Sequence, residues 1–509
     1  FSLSLREMRT PSTAPSFLVA LQTWDLNSIR SHLDGNVDTN EVLEHGITAL
    51  AFAASMGFED GVQILLAAGA SPKEEGPFSP LYLAAANGHK SVIDILFEAG
   101  ASSQTNQTGD SSPFVIACQE GHAPVVECLL ERGHNANAQS NSGLSVLYLS
   151  ASRGHSEVVK HLLKGGADIG FKTPTGSSPL FMAAQGGHAE AIKALGETDT
   201  DFNAPRNDGA CPIHIAARLG HLAAMCVLLE NKQVNMEVRW NDLTALFIAA
   251  QHGHSPIVAQ LLKKGANWRE ACGPCRAAPI HVAAELGNAA VVEVMIASSV
   301  DLNARLTSGA TPLFLAAQNG HSLVVDLLAK SNATRLNLTR NAGDTALMIA
   351  AQNGHSDCAA CLVAAKVDTR KSTPNKKMTA LLIAVAANNV ETVKRMAQAG
   401  IDLGFSGKDG QTALMLAAEL GFDEMVHALL MSGASFRSIN HDGDTAKDIA
   451  EKHKNHYTAS LIESFEKYGL EGGGGFASSR GSSSMMGNHS AVGWHGQAMG
   501  YYPGGWYGY

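Results

Sequence analysis

Residues 311–329 read TPLFLAAQNGHSLVVDLLA, and this stretch decides the fold. The proline in its second position predicts the first turn of a helix, because the N–H that proline lacks would have no partner there. The alanine-rich helix should end at Gly320–His321, since glycine permits a sharp reversal of the backbone. The following VVDLL spaces its apolar residues as a second, amphipathic helix does. The stretch therefore predicts one helix-turn-helix unit.

The same unit recurs along the chain with a period of about 33 residues. Related stretches occupy residues 79–101, 178–195, 211–229 and 412–434. Units tend to close on a Gly-Ala pair that leads into an extended finger with a turn at its tip. Glycines at these tips recur at Gly109, Gly143, Gly176 and Gly209, and again at Gly309, Gly343, Gly410 and Gly443. A period of this length predicts about fourteen units stacked in one array.

This pattern resembles the ankyrin repeat family. The matching features are Thr-Pro-Leu-like helix starts, Ala-Ala pairs such as Ala316–Ala317, Gly-His pairs such as Gly320–His321, and Gly-Ala ends. The resemblance covers roughly residues 45–470, with a degenerate first copy in 17–45. It implies an all-α solenoid of stacked helix-turn-helix units with β-hairpin-like fingers, and a function in binding other proteins.

Composition divides the chain into three parts. Residues 1–16 are an N-terminal extension, residues 17–470 are the repeat array, and residues 471–509 are a tail rich in Gly, Ser and Tyr. The first and last units lack the signature glycines or turn polar, as capping repeats do. The tail has almost no charge and no apolar period, so we expect it to be disordered. Two roles for it remain open: a flexible end, or a segment that associates weakly with itself or docks a partner.

Two units depart from the pattern. The unit at 377–409 has Asn388–Asn389 in place of Gly-His, and the second helix of the unit at 176–208 is expected to break at Gly196. Since the repeats of such an array contact only their neighbours, both units are predicted weak joints or bends.

Charge, hydropathy and cysteine content narrow the class of protein. The 509 residues carry a net charge of −10 at pH 7, which gives no reason to expect nucleic acid or an anionic membrane as a partner. No run of about 18 apolar residues occurs, so no membrane span is expected. Eight cysteines are too few for a disulfide-rich secreted protein, so a cytoplasmic location is expected. Because the chain begins at Phe1 rather than Met, the nucleus or an organelle stays open.

The sequence CGPC, from Cys272 to Cys275, is the strongest hint of chemistry in the chain. A redox pair of this kind needs a cysteine of lowered pKa at a helix N-terminus, whereas the repeat period places a finger turn here. An ordinary turn is the favoured interpretation, and a reversible disulfide and a metal contact remain alternatives. No GxSxG, HExxH, P-loop or kinase pattern occurs. We therefore expect no enzyme, no small-molecule substrate and no cofactor.

Histidines recur every 33 residues, as the second member of the Gly-His pairs. Successive repeats should lie about 10 Å apart, whereas two ligands of one metal ion each lie about 2 Å from it. We therefore assign these histidines a structural role and expect no metal site. They are His89, His122, His155, His188, His221 and His254.

The ends of the first helices carry a row of uncharged amides. Such a row suits hydrogen bonding to the backbone of an extended peptide, and a merely solvated row is the alternative. Its members are Gln119, Gln185, Gln251, Gln318 and Gln352.

The later fingers carry basic residues shortly before their tips, whereas the earlier fingers carry Glu41, Glu44, Glu74 and Glu75. This basic ladder suits an acidic segment of a partner, and a solvated charge row is again the alternative. Its members are Lys172, Arg206, Arg239, Arg305, Arg340, Arg370 and Lys408. Trp240 and Trp268, on the same fingers, are either aromatic anchors for a partner or packed against a neighbouring finger.

The leading hypothesis is a non-catalytic scaffold or adaptor that binds a protein partner in the groove and at the finger tips. One alternative is a thiol-redox protein centred on Cys272 and Cys275. The other is a nucleic-acid adaptor that uses the basic fingers and the tail, which the net negative charge disfavours.

Overall fold

Short helices in pairs build the described part of the chain. The computed structural model describes residues 16–34, 38–40, 42, 47–73, 78–102, 109–375 and 377–468. Within those ranges, 28 α-helices form fourteen pairs and no β-strand is present. The predicted all-α solenoid of helix-turn-helix units is confirmed. The extension before Ser16, the tail 471–509, and Glu41, Glu44, Glu74 and Glu75 lie outside the described residues.

The first helix of each pair has seven or eight residues, and most begin with proline or alanine. These helices are α1 (Ser16–Thr23), α3 (Ala49–Ser55), α5 (Pro80–Ala86), α7 (Pro113–Glu120), α9 (Val146–Arg153), α11 (Pro179–Gly186), α13 (Pro212–Leu219), α15 (Ala245–Gln251), α17 (Pro279–Glu285), α19 (Pro312–Asn319), α21 (Ala346–Asn353), α23 (Ala380–Ala386), α25 (Ala413–Leu420) and α27 (Ala446–Lys452).

The second helix follows after a short turn and is slightly longer. These helices are α2 (Leu26–Asp34), α4 (Glu59–Ala67), α6 (Lys90–Glu98), α8 (Ala123–Glu131), α10 (Ser156–Lys164), α12 (Ala189–Gly196), α14 (Leu222–Glu230), α16 (Ser255–Lys263), α18 (Ala289–Ala297), α20 (Ser322–Lys330), α22 (Ser356–Ala364), α24 (Val390–Gln398), α26 (Asp423–Met431) and α28 (His456–Tyr468).

A serine or threonine immediately before the first helix fixes the start of that helix in most repeats. The Thr311 hydroxyl oxygen, for example, accepts a hydrogen bond from the Phe314 N–H at 3.3 Å. Loss of one such cap destabilises a helix by about 1 kcal/mol. The same cap is formed by Thr48, Ser79, Ser145, Ser178, Thr244, Thr345, Thr379, Thr412 and Thr445.

The helices are arranged in two layers. First helices pack against the first helices of neighbouring repeats, and second helices pack against second helices. One continuous apolar cluster fills the space between them, from Phe17 to Ile462. Fully buried Ala316 and Ala317 allow adjacent first helices to approach closely. Because each repeat buries its apolar surface only against its neighbours, stability is shared along the array.

The glycine at the end of a first helix contacts the histidine of the next repeat, and this contact explains why the histidines recur with the repeat period. Gly154 caps α9 with a φ of 80°, and a Cβ added to it would lie 2.5 Å from Nδ1 of His188. His188 donates from Nε2 to the Ser152 carbonyl at 3.1 Å. A side chain at Gly154 would therefore displace the histidine of the following repeat. We call this contact the glycine–histidine clasp.

The clasp recurs along the array. Each histidine Nε2 lies 2.8–3.1 Å from a carbonyl oxygen of the preceding repeat, to which it donates. The structural role predicted for the periodic histidines is thereby given a physical basis. The further pairs are Gly57 with His89, Gly88 with His122, Gly121 with His155, Gly187 with His221, Gly220 with His254, Gly287 with His321, and Gly320 with His355.

In other repeats, an asparagine in place of the histidine donates hydrogen bonds to the preceding repeat. Asn389 donates from Nδ2 to two carbonyls of the preceding repeat, at 2.8 and 3.0 Å, and Asn388 adopts the left-handed conformation with a φ of 53°. The unit at 377–409 therefore keeps hydrogen bonds of this kind to the preceding repeat, whereas Phe422 takes the histidine position in the following repeat. In the unit at 176–208, α12 ends at Gly196, where the sequence predicts the break. The same asparagine contact is made by Asn288 and Asn455.

The fingers are hairpin-like turns closed by isolated antiparallel bridges, with no strand among the described residues. The length of the turn differs between fingers. Three residues separate the hydrogen-bonded ends at 306–310, two separate those at 240–243, and four separate those at 272–277. Arg276 occupies the position of the missing tip glycine and has a φ of 54°. The 33-residue period placed the tip of this finger correctly.

Candidate partner-binding surface

The first helices and the fingers together form one face of the array. His281 of α17 joins the two: its Nδ1 accepts from the Ala278 N–H at 3.1 Å, and its Nε2 donates to the Ala304 carbonyl at 3.0 Å. Burial lowers the pKa of His281 to about 4, so the ring is neutral near pH 7. His214 makes the equivalent hydrogen bonds. These two histidines hold the fingers that contain Val238 and Ala304 to α13 and α17.

The predicted glutamine row lies at the C-terminal ends of α7, α11, α15, α19 and α21. Gln185 and Gln352 are exposed, and the other three are partly buried: Gln119, Gln251 and Gln318. The backbone carbonyls of the row take part in the clasps, as that of Gln119 does by accepting from His155 at 2.9 Å. Periodic stacking therefore explains where the row lies, while Gln185 and Gln352 present their side chains most fully to solvent.

Most arginines of the basic ladder are paired with carboxylates of their own or the next finger. The pairs are Arg206 with Asp208, Arg239 with Asp242 and Glu270, Arg340 with Asp344, and Arg370 with Asp402. Exposed ion pairs of this kind add only about 0–1 kcal/mol of stability, but they neutralise the ladder. The ladder is therefore not a continuous positive stripe. The side chain of Lys408 lies outside the described part of the chain.

The two tryptophans differ in exposure. Trp240 is 8% exposed, and its ring centre lies 6.1 Å from that of His214 and 5.6 Å from the Arg218 guanidinium. It packs inside the array, so the structure corrects its assignment as a partner anchor and favours the packing alternative. Trp268 is only partly buried, and the Arg269 guanidinium lies 4.2 Å from its ring centre.

A cleft of about 450 Å³ opens between the finger at 264–278 and the finger at 298–311. The start of α17 forms part of its lining, and a hydrogen bond from the Thr307 N–H to the Cys275 carbonyl, 3.1 Å long, links the two finger tips. We call it the interfinger cleft. The residues that give the cleft its chemistry are Trp268, Arg269, Arg276, Ile280, Asp301 and Arg305.

The cleft combines predicted and unpredicted residues. Trp268 and Arg305 were predicted from the sequence, whereas Arg269 and Arg276 were not. Arg305 donates to the Thr339 carbonyl at 2.8 Å. Within the described ranges, no ion pair joins Arg269, Arg276 or Arg305 to a carboxylate, whereas the other arginines of the ladder are paired. For Arg269 and Arg276, the one indication in the sequence was the missing glycine at the finger tip.

A second cleft lies at the corresponding position three repeats earlier. It opens between the fingers at 165–178 and 197–211 and has a volume of about 200 Å³. Its charged lining residues are Lys172, Asp199 and Asp201. The same architecture therefore produces two clefts that differ in size and in the sign of their charge.

The cysteines of the CGPC sequence occupy a turn, as favoured from the sequence. Cys272 and Ala277 exchange two backbone hydrogen bonds, of 2.8 and 3.0 Å, across the turn. The Cys272 side chain is buried, and burial raises the pKa of its thiol, while Cys275 is exposed. A redox-active cysteine needs the opposite shift in pKa. All eight cysteines of the chain are free thiols.

In the part of the chain that the structure describes, no three His, Cys, Asp or Glu side chains are grouped so that they would hold a metal ion. No described helix has both the length and the apolar character needed to cross a membrane.

Comparison with known proteins identifies the repeated unit. Two solved structures are similar over part of the chain. The ankyrin repeat domain of Bcl-3, described as a unique member of the IkappaB protein family, is 22% identical over 44% of this chain and 99% of its own, with a TM-score of 0.40. The human ASB11 ankyrin repeat domain is 30% identical over 43% of this chain and 96% of its own, with a TM-score of 0.37. A search of curated proteins gave no significant match.

A family model gives the decisive result. The model, described as ankyrin repeats (3 copies), matches overlapping segments at 17–108, 81–173, 114–206, 147–239, 180–272, 246–339, 280–373, 316–406 and 366–440. Together these segments cover most of the chain without a gap. The protein belongs to the ankyrin repeat family.

Proposed function

We propose that this protein is a non-catalytic scaffold or adaptor that binds protein partners on the face formed by its first helices and fingers. Ankyrin repeats are in general protein–protein interaction modules. The observation that carries the proposal is the array itself: in the described residues, fourteen helix pairs stack in sequence, first helix on first helix and second on second. Such an array offers a long, repetitive surface and no enclosed reaction chamber.

The exposed groups on this face suit an extended polypeptide. Gln185 and Gln352 carry both donors and acceptors, which match the N–H and C=O groups of a peptide backbone. A partner that runs along the array meets a new repeat about every 10 Å, so weak contacts accumulate over its length. Stable protein interfaces bury about 1,200–2,000 Å² in total, which several adjacent repeats can supply.

We place the protein in the cytoplasm. Eight free thiols, five of them buried, fit a reducing compartment, where disulfides are rare. The thiol-redox alternative is not pursued, because Cys272 is buried with a raised pKa. The nucleic-acid alternative is not pursued either, because carboxylates pair with most arginines of the ladder.

The proposal is tested by locating a partner on one layer of helices. Proteins retained from a native extract by the immobilised full chain are identified, and the most enriched one is purified. Its dissociation constant is then measured by biolayer interferometry. The variant Gln185→Glu/Gln352→Glu, on the finger face, should weaken binding. The matched control Lys193→Glu/Lys263→Glu changes exposed residues of the second helices and should leave binding unchanged.

Two results would contradict the proposal. One is an equal loss of affinity in both variants, or a loss in the second-helix control alone. The other is a catalytic turnover by the purified chain that a single substitution abolishes.

A further inference from the structure

We propose that the interfinger cleft binds an acidic segment of a partner protein, in which an apolar side chain lies next to carboxylates. This inference rests on the proposed scaffold function and names the chemistry of one docking point on it. The cleft is assigned from its volume, its charge and its aromatic wall, each of which differs from the earlier cleft.

Unpaired positive charge is the first argument. Arg269, Arg276 and Arg305 line the cleft, and only one carboxylate, that of Asp301, lies among the lining residues with them. The Asp301 side chain already accepts a hydrogen bond from the Asn303 N–H at 2.9 Å. Each guanidinium has five N–H donors, and the single hydrogen bond from Arg305 to Thr339 leaves most of its donors available. Carboxylates are the groups that such donors bind most strongly.

An apolar wall is the second argument. The cleft is lined by Ile280, Ala304 and Leu306 beside the partly buried Trp268 ring. The neutral His281 ring adds no charge there, because both of its nitrogens are engaged and its pKa is about 4. A volume of about 450 Å³ exceeds that of any single side chain, so the cleft admits an aromatic or large aliphatic residue together with its neighbours. Aromatic and arginine residues are also the commonest hot spots of protein interfaces.

The earlier cleft differs from the interfinger cleft in volume and in charge. The earlier cleft has less than half the volume and is lined by Asp199 and Asp201 against Lys172 alone. That cleft repels an acidic segment. An acidic partner should therefore select the later cleft, even though both occupy the same position in their repeats.

A peptide fits the cleft better than a nucleic acid does. A single strand of nucleic acid is bound by a positive groove along its backbone with successive aromatic platforms. Here the neighbouring finger arginines are neutralised by carboxylates, as Arg239 is by Glu270, and among the residues lining the cleft Trp268 is the only Phe, Tyr or Trp. Three arginines without an ion pair are thus grouped at one cleft on an acidic chain, which suits a short acidic segment.

The test uses synthetic peptides and the full chain. A fluorescein-labelled peptide with the core Asp-Glu-Phe-Asp-Glu is titrated with the protein, and binding is followed by fluorescence anisotropy. Peptides with the cores Asn-Gln-Phe-Asn-Gln and Asp-Glu-Ala-Asp-Glu separate the contributions of charge and of the apolar side chain. We expect the first peptide to bind saturably and both controls to bind at least about tenfold more weakly, the effect of losing one charge-assisted or hot-spot contact.

Variants then locate the binding site. Arg269→Gln/Arg305→Gln should weaken binding of the acidic peptide by at least about tenfold, and Trp268→Leu should remove the preference for phenylalanine over alanine. Arg206→Gln, which removes an arginine already paired with a carboxylate, is the matched control and should bind normally. Circular dichroism confirms that each variant is folded.

Three results would overturn the inference. They are the absence of saturable binding by the acidic peptide, equal binding by Arg269→Gln/Arg305→Gln and Arg206→Gln, and a preference for a single-stranded RNA oligonucleotide over the peptide. Failure here is distinct from failure of the scaffold proposal. A protein partner whose affinity drops in Gln185→Glu/Gln352→Glu but not in the cleft variants would keep the scaffold and reject the cleft.

Discussion

Replacing Gly154 with alanine should loosen the junction between two repeats, because two separate requirements meet at this glycine. The first is backbone conformation, since Gly154 has a φ of 80°. The second is space, since a Cβ at this position would lie 2.5 Å from Nδ1 and 2.7 Å from Cγ of His188. The histidine cannot move away without weakening its hydrogen bond to the Ser152 carbonyl, which is 3.1 Å long.

The size of the effect follows from these two terms. An alanine in the left-handed region costs about 1–2 kcal/mol. Loss of the His188 hydrogen bond adds about 0.5–1.5 kcal/mol. Gly154→Ala should therefore destabilise the junction by about 1.5–3.5 kcal/mol.

A matched control lies in the same repeat. Gly166, just after α10, has a φ of 84°, but a Cβ there would meet no atom within 4 Å. Gly166→Ala should cost only the backbone term, about 1–2 kcal/mol. The difference in destabilisation between the two variants gives the contribution of the clasp. In a His188→Ala background the difference should shrink by about 1 kcal/mol, the coupling that a double-mutant cycle measures.

Hydrogen exchange followed by mass spectrometry is the suitable assay. Long repeat arrays do not unfold in two states, so a single melting temperature would not report on one junction. Exchange in peptides from α10 and α12 gives the local free energy of opening on both sides of the clasp. The clasp has no energetic role if Gly154→Ala and Gly166→Ala lower the local free energy of opening equally. The same conclusion follows if the difference between their effects is not reduced in the His188→Ala background.

Three further predictions concern other parts of the array. Arg276→Gly should stabilise its finger by about 1 kcal/mol, because Arg276 has a φ of 54° that glycine adopts without strain; unchanged hydrogen exchange in this finger would contradict this. Iodoacetamide should alkylate exposed Cys275 well before buried Cys272 at pH 8, and equal rates in peptide mass spectrometry would show that the turn does not protect the second thiol. Stability should fall as the pH drops from about 6.5 to 4, because the unfolded chain protonates His281 before the folded chain does, its folded pKa being about 4. His281→Phe should make this fall shallower in the local free energy of opening of α17, measured by hydrogen exchange across that range, and superimposable pH profiles would refute the assignment.

The layers of helices are predictable because each local signal agrees with the repeat period. In residues 311–329 the threonine cap, the proline, the paired alanines and the Gly-His turn all indicate the same unit, and the structure contains each of them. The period also placed Arg276 at a finger tip, although no glycine marks that tip. Apolar spacing and turn chemistry act over a few residues, so the sequence contains them directly.

The surface was less predictable because it depends on contacts between fingers. Arg239 belongs to a regular basic ladder in the sequence, yet it lies between Asp242 and Glu270, and the second of these is on the next finger. Trp240 and Trp268 look equivalent in the sequence, but the first is buried and the second is not. Both differences depend on the direction of side chains across a junction, which periodicity does not specify.

Departures in the finger turns show where the surface is specialised. Stacking requires the helices to keep their spacing, so variation in length is best tolerated at the finger tips. The turn at 240–243 has two residues and the turn at 272–277 has four, while their neighbours have three. Trp240 is buried at the short turn, and the interfinger cleft opens beside the long one. A partner that recognised only the regular features of the array would bind many positions equally, whereas the interfinger cleft is larger than the earlier cleft and carries arginines without ion pairs. Specific recognition is therefore expected where the repeat pattern fails rather than along the glutamine row that follows it.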